Sequence, residues 1–167
     1  PGLAELKSAV GWTDGADIVG VSSRGVGSQI TLIQNEGRGL LINGTQEWAD
    51  YRLSARVSVH MASEAGIAVR VGGMRRFYAL LLTAGGTVRL VGCQDEDKVL
   101  SEAAFDWEPD RAYQLSIEAQ GDRLIARVEG GPTLLAQDTG LARGGIALIN
   151  TEGRSFFSEV CVTPLGG

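Results

Sequence analysis

Residues able to perform catalysis are few in this chain. His60 is the only histidine, and catalysis of the Ser–His–Asp type needs an imidazole oriented beside the nucleophile. Hydrolysis of a glycosyl bond needs two carboxylates, which Asp95–Asp97 or Asp106–Asp110 could supply, but both groups lie in predicted turns. A phosphate-binding glycine loop is missing, and Gly20–Gly25 lacks the spacing of a nucleophile elbow. We therefore expect no catalytic activity, and a hydrolase acting on glycosyl bonds stays open as an alternative.

Metal and thiol chemistry have only weak candidates. Cys93 and Cys161 either pair or stay as free thiols, and their spacing does not decide between these states. Zinc is not expected, because the cysteines and the histidine do not occur at ligand spacing. No cofactor is expected, although loop carboxylates could hold a structural calcium ion. The calcium candidates are two pairs of residues, Asp14 with Asp17 and Asp95 with Asp97.

The overall composition disfavours several classes of partner. The net charge is −5 and the pI is near 4.9, whereas proteins that bind nucleic acid neutralise phosphates with Lys and Arg. No apolar run approaches the roughly 18 residues that span a bilayer, so neither nucleic acid nor a membrane is expected as a partner. Of the 15 basic residues only Lys7 and Lys98 are lysines. This bias fits a GC-rich genome, or recognition of carboxylates, phosphates and sugar diols by planar guanidinium groups.

Short apolar runs separated by turn residues make up most of the chain. From Trp48 to Val91, four runs alternate apolar and polar residues, which is the period of a half-buried strand. Gly-containing turns between them are typical of an antiparallel meander. We therefore expect an all-β fold, a two-sheet antiparallel jelly-roll sandwich of about a dozen strands. The predicted strands are residues 18–22, 28–34, 39–43, 51–59, 66–72, 76–83, 86–92, 98–104, 112–119, 123–129, 133–137, 144–150 and 155–163.

The strand pattern predicts one domain over residues 1–167. A domain of this length buries roughly two-thirds of the surface of its unfolded chain. Residues 1–17 are predicted to form a leading segment with one helical turn around Leu3–Val10, and residues 18–164 to form the sandwich. Because the chain begins at Pro1 without Met, we expect a piece of a longer protein, and a processed chain fits equally well.

Two continuous apolar runs resemble each other. Arg38–Asn43 and Arg143–Asn150 both place Gly before an apolar strand that ends on Asn. Continuous apolar runs are typical of central strands that are covered on both faces. We expect these two strands to lie near each other.

Eight strand-forming motifs occur in an order known from one fold family. They are WADYRL at 48–53, GIAVR at 66–70, RFYAL at 76–80, GTVRL at 86–90, YQLSIE at 113–118, GDRLIARVEG at 121–130, GGIAL at 144–148 and FSEVCVTP at 157–164. Over about residues 40–164 the chain resembles concanavalin A-like, laminin-G-type jelly rolls found beside or within bacterial glycan-acting enzymes. The resemblance implies two curved sheets, with ligand on the concave sheet or at its loop rim.

The same family contains several kinds of protein. It includes fructan-binding modules of glycoside hydrolases and sugar hydrolases of the keto-disaccharide type. Similar domains are appended to ADP-ribosylglycohydrolase-like proteins, and the N-terminal third of this chain is most similar to those. Glucanases of the fold carry alternating acids on one strand, and this chain has no such strand.

Strand alternation predicts a shared outer face. If the strands from residue 51 to residue 92 form one sheet, Arg56, Arg70, Tyr78 and Arg89 point to the same side. Tyr78 is preferred to Phe77 as the outward ring because a phenol tolerates water better. Two interpretations stay open, namely a solvated face with arginines paired to Glu or Asp, and a site for an anionic or polyhydroxylated ligand.

Aromatic residues beside turns are the second indication of a ligand site. Trp107 lies in a loop where its indole is either a stacking platform for a sugar or a structural residue. Trp48 is expected to pack at an edge of the sandwich. Phe156 and Phe157 place one ring on each face of the last strand, and the outer ring could line a rim with Arg154. The predicted ligand-binding residues are Arg56, Arg70, Tyr78, Arg89, Trp107 and Arg154.

Taken with the resemblance, these residues predict a non-catalytic module that binds a carbohydrate or a sugar-containing ligand. Its expected partners are that ligand and a catalytic domain of the parent protein. Three alternatives stay open. A glycoside hydrolase of the same fold needs two converging carboxylates, and a structural or oligomerisation domain would expose an apolar sheet face. An ADP-ribose-directed module would use the same arginines on pyrophosphate, with strong salt dependence.

Overall fold

A computed structural model describes residues 10–12, 15–19, 29–44 and 47–165, with side chains from residue 30 onward. Its strands are β1 (Val10–Trp12), β2 (Gly15–Val19), β3 (Gln29–Asn43), β4 (Tyr51–Met61), β5 (Glu64–Gly73), β6 (Arg76–Thr83), β7 (Thr87–Gln94), β8 (Glu96–Ala104), β9 (Ala112–Gln120), β10 (Arg123–Val128), β11 (Thr133–Gln137) and β12 (Gly145–Pro164). All pairings are antiparallel, which confirms the all-β sandwich of about a dozen strands. Over these residues the structure contains no helix of the length and apolar character needed to cross a membrane.

Two long strands, β3 and β12, belong to both sheets. Residues 145–151 of β12 pair with β5 and with residues 38–43 of β3. Beyond a register shift between Thr151 and Gly153, β12 pairs with β4 and with residues 29–34 of β3. Sheet I therefore runs β1–β3–β12–β5–β6–β7–β8, and sheet II runs β2–β3–β12–β4–β9–β10–β11.

The predicted breaks at residues 35–38 and 151–154 are wrong, because each lies inside one continuous strand. Gly37 has φ +70°, and Glu152 and Gly153 have φ 50° and 157°. These residues form irregularities that bend a strand without ending it, although the same residue types also form turns. The expected proximity of the two similar runs is confirmed, since Leu41 pairs directly with Leu148.

The leading segment also differs from its prediction. Val10–Trp12 is a strand that pairs with Leu40–Ile42, and β2 begins at Gly15 instead of residue 18. The helical turn expected around Leu3–Val10 otherwise lies outside the described residues. The apolar residues of this segment do not alternate with polar ones, so the sequence did not predict a strand before residue 18. Both strands form by pairing with β3.

The main core lies between the sheets and is built by alternation. In β4 the inward residues from Tyr51 to Val59 are buried while their neighbours are half-exposed. The inward rows of β6 and β9 complete the same layer, including Leu80 and Leu115. Phe157 is buried in this core and Phe156 lies on the other face, as predicted. Each fully buried side chain of this size contributes about 1.5–3 kcal/mol of hydrophobic stabilisation.

A second apolar cluster covers the outer face of sheet I and is also buried. It explains why β5, β6 and the first half of β12 read as continuous apolar runs. The cluster consists of Leu40, Ala68, Val71, Phe77, Ala79, Leu81, Val91, Cys93, Ala147 and Ile149.

The two cysteines are free thiols on different sheets. Cys93 is buried on the outer face of sheet I, whereas Cys161 is exposed on sheet II. This arrangement excludes an intrachain disulfide in the fold. Burial raises the pKa of the Cys93 thiol to about 11, so the group stays protonated and unreactive near neutral pH.

Candidate functional site

The predicted outer face of Arg56, Arg70, Tyr78 and Arg89 does not exist. Arg56 lies on the outer face of sheet II and Arg89 lies on the outer face of sheet I. Arg70 and Tyr78 are 1% and 0% exposed. The prediction is wrong because the strands from residue 51 to residue 92 do not form one sheet, since β4 pairs with β9 and β12 while β5–β7 lie opposite.

Two of the predicted arginines are half-exposed and lie beside acids. Arg56 lies 3.9 Å from Glu129 and 3.9 Å from Glu159. Arg89 Nε donates to Glu102 Oε2 at 3.0 Å. These contacts match the interpretation of solvated arginines beside Glu or Asp. Whether either residue also contacts a ligand stays a prediction.

Arg70 is a buried structural residue. Its guanidinium donates to the carbonyl oxygens of Ala49, Gly121 and Leu141 at 3.1, 2.6 and 3.1 Å, and to Asp50 Oδ1 at 3.3 Å. The alternation that predicted an outward side chain fails here, because the β5–β6 register shifts beyond Val69 and Arg70 has φ 51°. The side chain therefore turns into the end of the sandwich.

Tyr78 points into the sandwich. Its hydroxyl donates to Asp138 Oδ1 at 2.5 Å and accepts from the Leu141 amide at 3.0 Å. Burial raises the pKa of Tyr78 to about 12, so the phenol remains a donor at all physiological pH values. Phe77 is buried on the other face, hence neither ring of β6 faces water. The prediction that Tyr78 and not Phe77 faces outward is wrong because β6 is buried on both faces.

Trp107 lies in a depression at one end of the sandwich, which we call the end depression. Three segments form its wall, namely residues 59–62 at the end of β4, the β6–β7 turn at residues 84–86, and the loop that carries Asp106, Trp107 and Pro109. Its volume is about 420 Å³. Ligand pockets in proteins measure roughly 300–1,000 Å³, so the depression has room for a small ligand.

The indole of Trp107 is held in place by hydrogen bonds of its loop. Trp107 Nε1 donates to the Thr83 carbonyl oxygen at 2.8 Å, and the ring packs against the edge of the main core. The Glu108 amide donates to the Tyr113 hydroxyl at 2.7 Å, and the Asp110 amide donates to the Val59 carbonyl at 2.8 Å. Trp107 is thus half-buried and fixed, with part of its surface open to the end depression.

Polar and apolar side chains surround this indole. His60 Nδ1 lies 2.7 Å from Asp110 Oδ1, and Met61 is 70% exposed. Sequence reasoning gave His60 no binding role and did not consider Met61. Their position in the sequence could have indicated a role, because His60 and Met61 are the last residues of β4 and lie beside a turn. Trp107 likewise lies beside a turn.

Arg154 lies near this end of the molecule. It pairs with Met61 across the β12–β4 ladder and is exposed. Within the described ranges no ion pair of Arg154 is found. Trp48 is instead a structural residue, as expected, since it packs edge-on against Tyr51 with ring centres 5.8 Å apart.

The acids around Pro109 make separate contacts in the part of the chain that the structure describes. Of the acids around Pro109, Asp106 lines the end depression, Asp110 is bonded to His60, and Glu108 lies 3.9 Å from Arg111. Hydrolysis would need two carboxylates facing each other across a bound sugar.

The other acidic group belongs to an ion-pair cluster. Asp97 accepts two hydrogen bonds from Arg38, at 3.0 and 2.6 Å, and Arg38 also bonds Glu64. The Arg38 guanidinium holds the pKa of Asp97 below its usual range. In residues 30–44 and 47–165 no three Asp, Glu, His or Cys side chains are grouped to hold a metal ion. The calcium candidate Asp14 lies outside the described residues, as does the side chain of Asp17.

No protein-family model matches this chain, and no curated protein matches its sequence. The carbohydrate-binding module CBM66 from Bacillus subtilis matches its structure with a TM-score of 0.72 at 16% identity, over 91% of this chain and 97% of the module. A Bacillus subtilis protein of unknown function with a galectin-like fold gives 0.69 at 13% identity, over 96% of this chain and 91% of that protein. Alginate lyase AlgAT5 from polysaccharide lyase family 7 gives 0.65 at 12% identity, over 87% and 82%.

At these identities the likeness shows the fold. The chain has a jelly-roll sandwich of the galectin-like kind, so the predicted resemblance is confirmed at the level of architecture. The similarity to domains of ADP-ribosylglycohydrolase-like proteins stays a prediction.

Proposed function

We propose that this chain is a non-catalytic sugar-binding module whose ligand lies against Trp107 in the end depression. The observation that carries the proposal is the half-buried indole, fixed by its bond to the Thr83 carbonyl and open to a depression of about 420 Å³. An indole whose surface is partly open to a depression can stack on the apolar face of a sugar ring. Similar folds in a carbohydrate-binding module and an alginate lyase support the sugar as ligand class.

The polar groups beside Trp107 suit hydroxyl groups. His60 and Asp106 each offer a hydrogen-bonding atom at the wall, and Asp110 keeps the His60 ring oriented through its bond of 2.7 Å. Met61 adds an adaptable apolar contact. Such a mixture of one aromatic surface and a few polar atoms is typical of small-molecule sites.

The charge of this end favours a neutral sugar. Asp106, Glu108 and Asp110 all belong to the loop that carries Trp107, whereas the basic groups near it are His60, Arg111 and Arg154. A carboxylate or phosphate on the ligand would be repelled by this acidic loop. We therefore propose uncharged glycans as the ligand. The resemblance to modules of glycan-acting enzymes supports a further proposal, that the chain is an accessory to a catalytic domain acting on them.

The remaining alternatives have less support. An ADP-ribose-directed module was predicted from arginines on one face, and Arg56 and Arg89 lie on different sheets. An oligomerisation domain was predicted to expose an apolar sheet face. The apolar outer face of sheet I is buried within this chain, and the outer face of sheet II carries polar rows that include Arg52, Ser54 and Glu118.

The test is a glycan-array screen of the native chain and a His60→Ala, Asp106→Ala double variant, with ADP-ribose oligomers on the same array. Both side chains line the depression outside the core, so the variant is expected to fold. The native chain should bind one class of neutral oligosaccharide. The double variant should bind it about tenfold more weakly or worse, because two hydrogen bonds of about 1 kcal/mol each are lost.

Arg89→Ala is the matched control, because Arg89 is half-exposed on the outer face of sheet I and paired with Glu102. It should bind like the native chain. Equal binding by the double variant would move the site elsewhere, and silence of the native chain across the neutral glycans would refute the proposal.

A further inference from the structure

We propose a second, independent binding site at the opposite end of the β6–β7 hairpin, which takes the vicinal hydroxyls of a neutral sugar or polyol. We call it the polar depression. Its volume is about 430 Å³, and it is lined by Gln94, Asp122, Gln137, Asp138, Thr139 and Gly140. Every lining residue except Gly140 has a side chain that can form hydrogen bonds. The end depression and this one would make the module bivalent.

The walls of the polar depression are short segments between strands. Asp122 lies in the β9–β10 turn, and Asp138–Gly140 follow β11 directly. The two walls are joined by the Asp138 amide, which donates to the Asp122 carbonyl at 2.9 Å. A Cβ on Gly140 would lie 1.9 Å from Gln94 Nε2, so glycine there lets the Gln94 amide approach the wall closely. The backbone bond between Asp138 and Asp122 therefore joins the two walls of the rim.

Tyr78 holds one wall from inside the protein. Its buried hydroxyl donates to Asp138 Oδ1 and accepts from the Leu141 amide, so a single phenol spans the segment that contains Thr139 and Gly140. Asp138 Oδ1 also accepts from the Gly140 amide at 2.7 Å. These bonds fix the Asp138 carboxylate and leave its second oxygen for a ligand hydroxyl.

Arg70 holds both walls at once. Its buried guanidinium donates to the carbonyl of Gly121, next to Asp122, and to the carbonyl of Leu141, next to Gly140. A buried cation is costly to desolvate and is retained only where its hydrogen bonds compensate. Two buried polar side chains thus position the loops of one surface depression, which is how proteins preorganise a binding site.

The lining chemistry identifies the class of ligand. Carboxylate and amide oxygens accept from hydroxyl groups, and the amide groups of Gln94 and Gln137 donate to them. The lining contains no aromatic ring, so ring stacking contributes nothing and hydrogen bonds must provide recognition. A compact group with adjacent hydroxyls satisfies these features best.

The test is a titration of the ¹⁵N-labelled chain with D-sorbitol and with methyl glycosides of the common neutral hexoses, each alone. The backbone amides of Asp138, Thr139 and Gly140 should shift and saturate with at least one probe. In a Gln94→Ala, Asp122→Ala double variant the apparent affinity for that probe should fall about tenfold. Tyr78→Phe keeps every lining residue and should weaken the same binding several-fold, with the response of Gly85 in the end depression unchanged.

The Gly85 amide monitors the end depression and the Gly140 amide monitors the polar depression. The experiment therefore distinguishes failure of one site from failure of the other. Saturation at Gly85 without any at Gly140 would overturn the second site and leave the end depression standing. Absence of saturation at Gly140 with every probe, or equal affinity in the Gln94→Ala, Asp122→Ala variant, would also overturn it. Saturation at Gly140 that is lost in this variant supports the second site whatever happens at Gly85.

Discussion

Arg70 holds three segments of the fold together by itself. Its guanidinium is 1% exposed and donates to the carbonyl oxygens of three residues that lie before β4, in the β9–β10 turn and before β12. Without the guanidinium these oxygens lose their donors, and an unsatisfied buried acceptor costs about 1–3 kcal/mol. The residue was predicted to bind ligand, whereas its contacts show a structural role.

We predict that Arg70→Met lowers the free energy of unfolding by about 3 kcal/mol, because the methionine fills the volume without donating hydrogen bonds. Urea denaturation measures the change. Arg89→Met is the matched control, and its exposed ion pair with Glu102 should contribute less than about 1 kcal/mol. Equal losses in the two variants would contradict the buried role of Arg70.

Asp97 makes stability depend on acid pH. Its bonds to Arg38 lower the pKa of the folded carboxyl below the usual value of 3.8. The pair therefore stabilises the fold fully above the unfolded value, and this contribution is lost as the pH falls through the lower folded pKa. Asp97→Asn should cost about 1 kcal/mol at neutral pH, and its difference from the native chain should vanish in strong acid. Urea titrations over the acid range measure this, and a difference that grows on acidification would contradict the assignment.

At the scale of the elements, the crossing strands β3 and β12 organise the sandwich. Each begins in one sheet and ends in the other, and the bend of β12 lies at Glu152 and Gly153. A Cβ on Gly153 would lie against the Met61 carbonyl oxygen, far inside van der Waals contact. Glycine is therefore required where β12 passes the end of β4.

We predict that Gly153→Ala destabilises the protein by about 3 kcal/mol, because the backbone of β4 must move to admit the methyl group. Gly130→Ala is the control, since Gly130 has φ +73° with nothing within 4 Å of the added Cβ. Its cost should be about 1 kcal/mol, from the left-handed conformation alone. Thermal unfolding compares the two, and a Gly153→Ala variant as stable as Gly130→Ala would show that the crossing is not tightly packed.

The inward and outward residues of a strand were predictable where one face of the strand contacts solvent. They were not predictable where both faces are buried. In β4 and β10 the alternation gave the inward residues correctly, from Tyr51 to Val59 and from Leu124 to Val128. In β6 every residue from Phe77 to Thr83 is buried, so the pattern holds no information on direction. The local irregularity at Arg70 is set by pairing with β6 and is invisible in the sequence.

The candidate site was only partly predictable for a related reason. Trp107 could be singled out because it lies in a loop before Glu108–Pro109, a position where an indole can be exposed to a ligand. The contacts of His60 and Met61 with the same depression depend on where β4 ends relative to the β6–β7 turn. That relation comes from the packing of sheet I on sheet II, which no local pattern encodes.

At the scale of the whole molecule, the two sheets form one body with a depression at each end of the β6–β7 hairpin. One depression carries a fixed indole, and the other is lined by amides, carboxylates and a hydroxyl. The fold is shared with a carbohydrate-binding module and with an alginate lyase. Because function depends on the site and not on the fold, Trp107 is where the account is tested.

The most direct measurement follows the three tryptophan indole N–H signals of the ¹⁵N-labelled chain during titration with the strongest neutral glycan from the array. Trp107→Phe assigns the Trp107 signal. We predict that this signal shifts and saturates while the Trp48 signal, from a ring packed on Tyr51, stays in place. A bound glycan that leaves the Trp107 signal unmoved would contradict the claim that the sugar lies in the end depression.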